Sequence, residues 1–203
     1  MTDTDRSIEF VRPPRWAEAL LRVVLPPDDA ETVSGDLLEE YRDVVLRSRG
    51  RRRADVWFVG QVMGFVWRAA WWWGVIFAVL FLGRTALDWF LPPADFRTRS
   101  IITTYAAVGV FVVAGFGSAW RSRSIGAGAV AGIATAAIAA VLIAVGALAL
   151  IAVKHDAQTL WAIEHSGGLG EVLVLPVFVA VPGTLLATLG GLAGKLLRGA
   201  RAR

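Results

Sequence analysis

The sequence predicts an all-α membrane protein: a small N-terminal helical module followed by a four-helix transmembrane bundle. Three observations predict it. Up to about residue 70 the chain is charged and patterned with a helical period. Beyond that point come four long apolar stretches separated by short loops. Between the two lies Arg51-Arg52-Arg53 … Arg68-Ala69-Ala70-Trp71-Trp72-Trp73. Basic residues followed by an aromatic belt mark the entry of a cytosolic segment into a bilayer, because Lys and Arg stay on the cytoplasmic side and Trp prefers the interface. Hydrophobic residues make up 56% of the 203 and charged residues 19%, which is more apolar than a soluble domain usually is.

Charge and cysteine content narrow the function classes. The formal net charge of +4 is carried by the membrane part and its loops, while the region before residue 70 is near neutral. No long basic face exists, so nucleic acid is not an expected partner. The chain has no cysteine, which excludes disulfides, thiolate catalysis and Cys-ligated zinc. The N-terminus is polar and lacks the apolar core of a signal peptide, so no cleavage is expected there.

Residues 1–12 read as a flexible tail and 13–69 as the helical module. In the first helix Trp16, Ala19, Leu20, Val23 and Val24 recur at helical spacing and predict one apolar face. Pro26-Pro27 end that helix. Asp28 with Glu31 three residues later predicts a capping box for a second helix. Its apolar positions are Val33, Leu37, Tyr41, Val44 and Val45, with Leu38 beside them, and Gly50 follows as its C-terminal cap. A third helix starts near Arg53 and runs on into the first span. Gly35 lies inside the second helix, where glycine costs about 1 kcal/mol relative to alanine. It implies a close helix crossing or, alternatively, a contact surface for a partner protein.

The acidic residues Asp36, Glu39, Glu40 and Asp43 share the outer side of that second helix. They form a candidate partner surface, with a merely solvated face as the plain reading.

The run Pro13-Pro14-Arg15-Trp16-Ala17-Glu18-Ala19-Leu20-Leu21-Arg22, then Leu25-Pro26-Pro27-Asp28-Asp29, then Gly35-Asp36-Leu37-Leu38-Glu39-Glu40-Tyr41-Arg42, then Trp57 with Gln61-Val62, resembles the permease prefix domain. In that family a small helical module precedes the first transmembrane helix of macrolide-exporter-type ABC permeases. The resemblance covers residues 12–68, about a third of the chain. Past that point the sequence departs from the permeases: it has no large periplasmic domain, it is too short for a permease core, and it has no Walker motif. The resemblance therefore implies a cytoplasmic module of regulatory or assembly type, with an ABC permease or a regulator as partner, and not transport activity.

Four segments are long enough to cross a hydrocarbon core of about 30 Å: residues 70–91, 101–120, 125–153 and 172–192. A basic tail, 194–203, follows them. Arg51, Arg52, Arg53 and Arg68, then Arg121 and Arg123, then Lys195, Arg198, Arg201 and Arg203 fall on one side if the chain crosses four times. Arg97 and Arg99 vote mildly against. The sum predicts a multi-pass protein of the bacterial cytoplasmic (inner) membrane with both termini in the cytoplasm.

Small residues recur every four positions in the third span, at Gly128, Gly132, Ala136, Ala140 and Ala144, and in the fourth at Gly183, Ala187 and Gly191. Such seams allow close helix approach, within one bundle or between copies in a homo-oligomer. Pro176 and Pro182 are expected to kink the fourth span.

Arg84 and Asp88 are the charges inside a span, an i, i+4 pair. Intramembrane ionisable groups are functional candidates, but both fall in the last turns before Pro92-Pro93, where snorkelling to the outer interface explains them. His155 and His165 share the outer loop with Asp156 and Glu164, a weak metal-site pattern. No catalytic constellation and no cofactor motif can be assembled. The sequence thus predicts a non-enzymatic membrane protein with a regulatory or interaction module, accessory to a transporter or regulator. The alternative is a small oligomeric transporter or channel-like subunit.

Overall fold

The computed structural model describes residues 11–153, 156–165 and 168–201, and all regular structure among them is helical. Helix α1 is Arg15–Val24. Helix α2 begins as Pro27–Glu40, widens into a π-helical segment at Tyr41–Leu46 and closes with Arg47–Arg49. Helices α3 (Arg51–Phe90), α4 (Arg97–Ser122), α5 (Ile125–Val153), α6 (Ala157–His165) and α7 (Gly168–Arg201) follow. α3, α4, α5 and the stretch 177–200 of α7 are long and apolar enough to cross a membrane. The chain is a multi-pass membrane protein built as a helical bundle.

Two cores share one rod. Helices α1 and α2 pack on the first third of α3 through Ala17, Leu21, Leu37, Tyr41, Val45, Phe58 and Val62. The rest of α3 joins α4, α5 and α7 around Phe77, Phe81, Phe111, Ala139 and Ile143. α3 is a single helix of 40 residues, about 60 Å at 1.5 Å per residue.

The N-terminal punctuation works as the residues dictate, with four corrections. Leu25 is extended (φ −86°, ψ 153°), as a residue before proline must be, and α1 ends at Val24. Gly50 has φ +75° and donates its N–H to Leu46 O at 3.1 Å; the left-handed region is open to glycine at no steric penalty. The Asp28–Glu31 capping box does not form. Pro27 instead occupies the first helical position of α2, where its missing N–H leaves nothing unsatisfied. Trp16 is 57% exposed, and Ala17 with Leu21 take the buried side of α1. Val44 is 58% exposed while Val45 is buried. The π-helical segment explains the displacement of Val44: its wider turn keeps Val45 in line with Tyr41 and rotates Val44 outward. Finally, a Cβ built on Gly35 would meet nothing within 4 Å, so no helix crosses there. Of the predicted tail, residues 1–10 lie outside the described residues, and Val11 O accepts a hydrogen bond from Arg42 Nε (3.1 Å).

In the bundle, α7 lies between α4 and α5 at backbone contact. A Cβ on Gly128 would come to 2.7 Å of Ala187 O, and one on Gly132 to 2.8 Å of Thr184 Cα. On the neighbouring side of α7, a Cβ on Gly194 would lie 2.7 Å from Phe116 O, and Gly190 is pressed against the Val112 carbonyl. Gly183, Ala187 and Gly191 are all buried. The predicted seam is therefore used within the chain. Its third-span ladder is shorter than predicted: Ala136 is buried, but Ala140 and Ala144 are half-buried. Four residues advance an α-helix by slightly more than one turn, so a four-residue ladder winds off the contact face. α7 runs unbroken through Pro176 and Pro182.

Gly132→Ile is expected to lower the thermal midpoint in detergent, because its branched side chain would wedge α5 from α7. Gly35→Ala should leave the midpoint unchanged or raise it, by up to about 1 kcal/mol of stability, since it adds helix propensity in open space. A midpoint for Gly132→Ile equal to the parent's would contradict the close seam.

Candidate functional site

The two charges of the first span join Arg99 in a three-residue cluster. Asp88 is 1% exposed. Arg84 Nε lies 2.7 Å from Asp88 Oδ2, and Arg99 Nη1 lies 3.2 Å from Asp88 Oδ1. Arg99 also donates to Leu87 O (2.9 Å) and Leu91 O (3.0 Å). A carboxylate here is disfavoured twice, by burial and by its place in the last turn of α3, at the negative end of the helix dipole. Two guanidiniums offset both effects. Arg99, read from the sequence as a topology vote, instead ties the start of α4 to the end of α3 across Pro92-Pro93.

A matching device sits at the opposite end of the bundle. Arg198 of α7 donates to Trp120 O, and to Arg121 O at 3.3 Å, covering carbonyls that α4 leaves open at its C-terminus. Aromatic side chains gather at that end: Trp67 and Trp71 pack at 5.3 Å and Phe116 and Trp120 at 5.6 Å, while Trp72 is 71% exposed.

The proposed outer loop is in part a helix. Asp156 Oδ1 accepts from Thr159 N (2.8 Å) and caps α6, a role for which Asp is strongly suited. Ile163 of α6 packs in the same core as the fully buried Trp89 of α3. His165 Nδ1 hydrogen-bonds to Trp161 O (2.8 Å), and the two rings stack at 4.2 Å. His155 lies outside the described residues. Among the described residues no group of three or more His, Cys, Asp or Glu side chains could hold a metal ion.

On the N-terminal helices, Asp36, Glu39, Glu40 and Asp43 are all exposed. Asp43 approaches Arg47 at 3.8 Å. Gly35 and Val44 extend the same open surface. Beneath it, Tyr41 is fully buried, meets Phe58 edge-on at 5.9 Å, and donates its hydroxyl to Asp55 Oδ1 at 2.7 Å. Burial, and then the hydrogen bond to the Asp55 carboxylate, push the Tyr41 hydroxyl up to about 12. The acidic surface is thus mounted on an anchored helix. Sequence reading missed the Asp55 and Arg99 partnerships. Asp55 stands one turn inside α3 on the side of Ala54 and Phe58, a position from which a buried tyrosine could have been anticipated.

Comparison with family models, with curated proteins and with solved structures found no match to this chain.

Asp88→Leu should destabilise the bundle by about 3 kcal/mol or more, since it leaves two arginines without their counter-ion. Arg84→Leu should do less harm, because Asp88 keeps Arg99. Thermal unfolding in detergent ranks the two, and the reverse order would contradict a cluster centred on Asp88.

Tyr41 sets a pH window. Its folded value is raised above the ordinary value near 10, so the stabilisation is fully present below about pH 10 and is lost as pH rises through about 12. Alkaline unfolding followed by circular dichroism should show a stability loss of roughly 2–3 kcal/mol across that window, flattened in Tyr41→Phe.

Proposed function

We propose that this chain is a non-enzymatic integral membrane protein whose N-terminal helices form a cytoplasmic interaction and regulatory module. In this reading it serves a transporter or a regulator as an accessory or signalling partner. The observation that carries it is the open surface at Asp36, Glu39, Glu40 and Asp43, mounted on a unit that shares α3 with the bundle. Four acids on one short surface repel one another and are not required by the core beneath them. Interface charge of this kind chiefly sets partner choice and encounter rate. The likeness of residues 12–68 to the permease prefix domain supports the same reading and favours an ABC permease or its regulator as the partner.

The proposed location is the bacterial inner membrane, with both termini cytoplasmic. Arg51, Arg52, Arg53, Arg68, Arg121, Arg123 and Lys195 are exposed and fall on one side of a four-span topology. Of the two arginines on the opposite side, Arg99 is engaged by Asp88 and by helix-end carbonyls, while Arg97 is exposed. The transporter alternative relies on Arg84 and Asp88 being available to a passing substrate. Their close pairing in the last turns of α3 favours a role in holding helices together.

Charge reversal tests the proposal. Glu39→Lys with Glu40→Lys should leave helix content and membrane insertion intact, since neither side chain is in a core. Partner recovery by cross-linking and pull-down from native membranes should fall. Recovery by the parent should also decline as salt rises and screening shortens, while the variant's residual recovery should be nearly independent of salt. Equal recovery by parent and variant at low salt would sink the docking surface.

A further inference from the structure

Where the N-terminal unit meets the bundle, the chain forms a half-open cavity of about 280 Å³. The turn after α1 closes it on one side through Leu25 and Pro26, and Phe65 and Arg68 of α3, Ser118 and Arg121 of α4 and the first turns of α5 form the rest. Its walls are apolar apart from a few groups, and these share one character. Arg68 and Arg121 are the charged residues that line it, and no carboxylate does. Arg121 is steadied by its Nε donating to Gly117 O at 3.2 Å. Ser118 is 7% exposed, and its hydroxyl is buried with no hydrogen-bond partner. A buried hydroxyl left unpaired is unfavourable and calls for an explanation. α5 also starts here, at Ile125, which brings the positive end of its dipole to the cavity. The opposing negative end of α4 is covered by Arg198, bonded to the Trp120 and Arg121 carbonyls.

Arg68 stands one turn before the Trp71-Trp72-Trp73 belt, which places the cavity at the level of lipid headgroups. Two guanidiniums, a donor hydroxyl and a helix N-terminus over apolar walls suit a phosphodiester whose acyl chains continue into the bilayer. Basic pockets between membrane helices take anionic lipid headgroups in this way.

We propose that this cavity is a binding site for an anionic phospholipid drawn from the leaflet on the side of the N-terminal helices. The phosphate sits between Arg68 and Arg121 and accepts the Ser118 hydroxyl. Because the same cavity is walled by the α1–α2 turn, an occupied site fastens the N-terminal unit to the bundle. The site does not depend on the partner reading given above.

The test uses the full chain in detergent micelles doped with dioleoylphosphatidylglycerol or dioleoylphosphatidylcholine, read by native mass spectrometry and by thermal unfolding. The parent should retain one phosphatidylglycerol in preference to phosphatidylcholine and gain thermal stability from it. Arg68→Gln with Arg121→Gln should lower that retention roughly tenfold or more. Val130→Trp keeps both arginines and fills the cavity, so it should lower retention to a similar extent, and it guards against the double variant failing to fold. Arg15→Gln, on the exposed side of α1, should leave retention unchanged. No preference for phosphatidylglycerol in the parent would overturn the site. So would equal loss in Arg15→Gln, which would mean general charge attraction, or stabilisation by inorganic phosphate alone without any by the lipid.

Discussion

Inside a bilayer, apolar side chains gain almost nothing by leaving lipid for protein, so helices associate by how closely their backbones can approach. α7 meets that constraint for the whole bundle. One side of it, Ala187 and Gly191, lies on Gly128 and Gly132 of α5, and the adjacent side, Gly183, Gly190 and Gly194, lies on Phe111, Val112 and Phe116 of α4. α3 then packs against the outside of α5, where Gly74 receives Ile138. Charged residues finish what packing begins. Arg99 and Arg198 each cross from one helix to the open carbonyls of another, at opposite ends of the bundle. Both satisfy groups that would otherwise face lipid or interface unpaired.

Much of this was legible in the residues because it is local. The four spans follow from hydropathy over about twenty residues, and α5 begins and ends where its composition changes. Pro26, Pro27 and Gly50 delimit helices by their own backbone restrictions. The fusion of module and first span into one helix was legible too, since no proline stands between Arg53 and Pro92.

What could not be read depends on neighbours distant in sequence. Asp88 looked like a surface group because its helix ends nearby; its burial is decided by Arg99, beyond the Pro92-Pro93 turn. Val44 leaves the apolar face, while Val45 stays on it, because the helix widens between Tyr41 and Leu46, and periodicity assumes a uniform turn. Gly35 suggested a crossing, but a glycine's meaning comes from what passes it, and nothing passes. The α4-facing glycines of α7 were missed because reading one ladder per helix hides a second beside it. The acidic residues Asp36, Glu39, Glu40 and Asp43 were legible as exposed, because they alternate with the apolar positions of the same helix.

The length of α3 has a mechanical consequence. About 20 of its residues suffice to cross the hydrocarbon core, so close to half of a rod of about 60 Å stands outside it. Pivoted in the bilayer, a tilt of about ten degrees would swing the far end by roughly 5 Å, given an outer arm of about 30 Å. Membrane helices adjust their tilt to bilayer thickness at modest energetic expense. Lateral tension or a change of lipid length would thus reach Arg51 as a displacement, with α3 as the moment arm. A load applied at the N-terminal helices would travel the same rod inward as torque on the bundle.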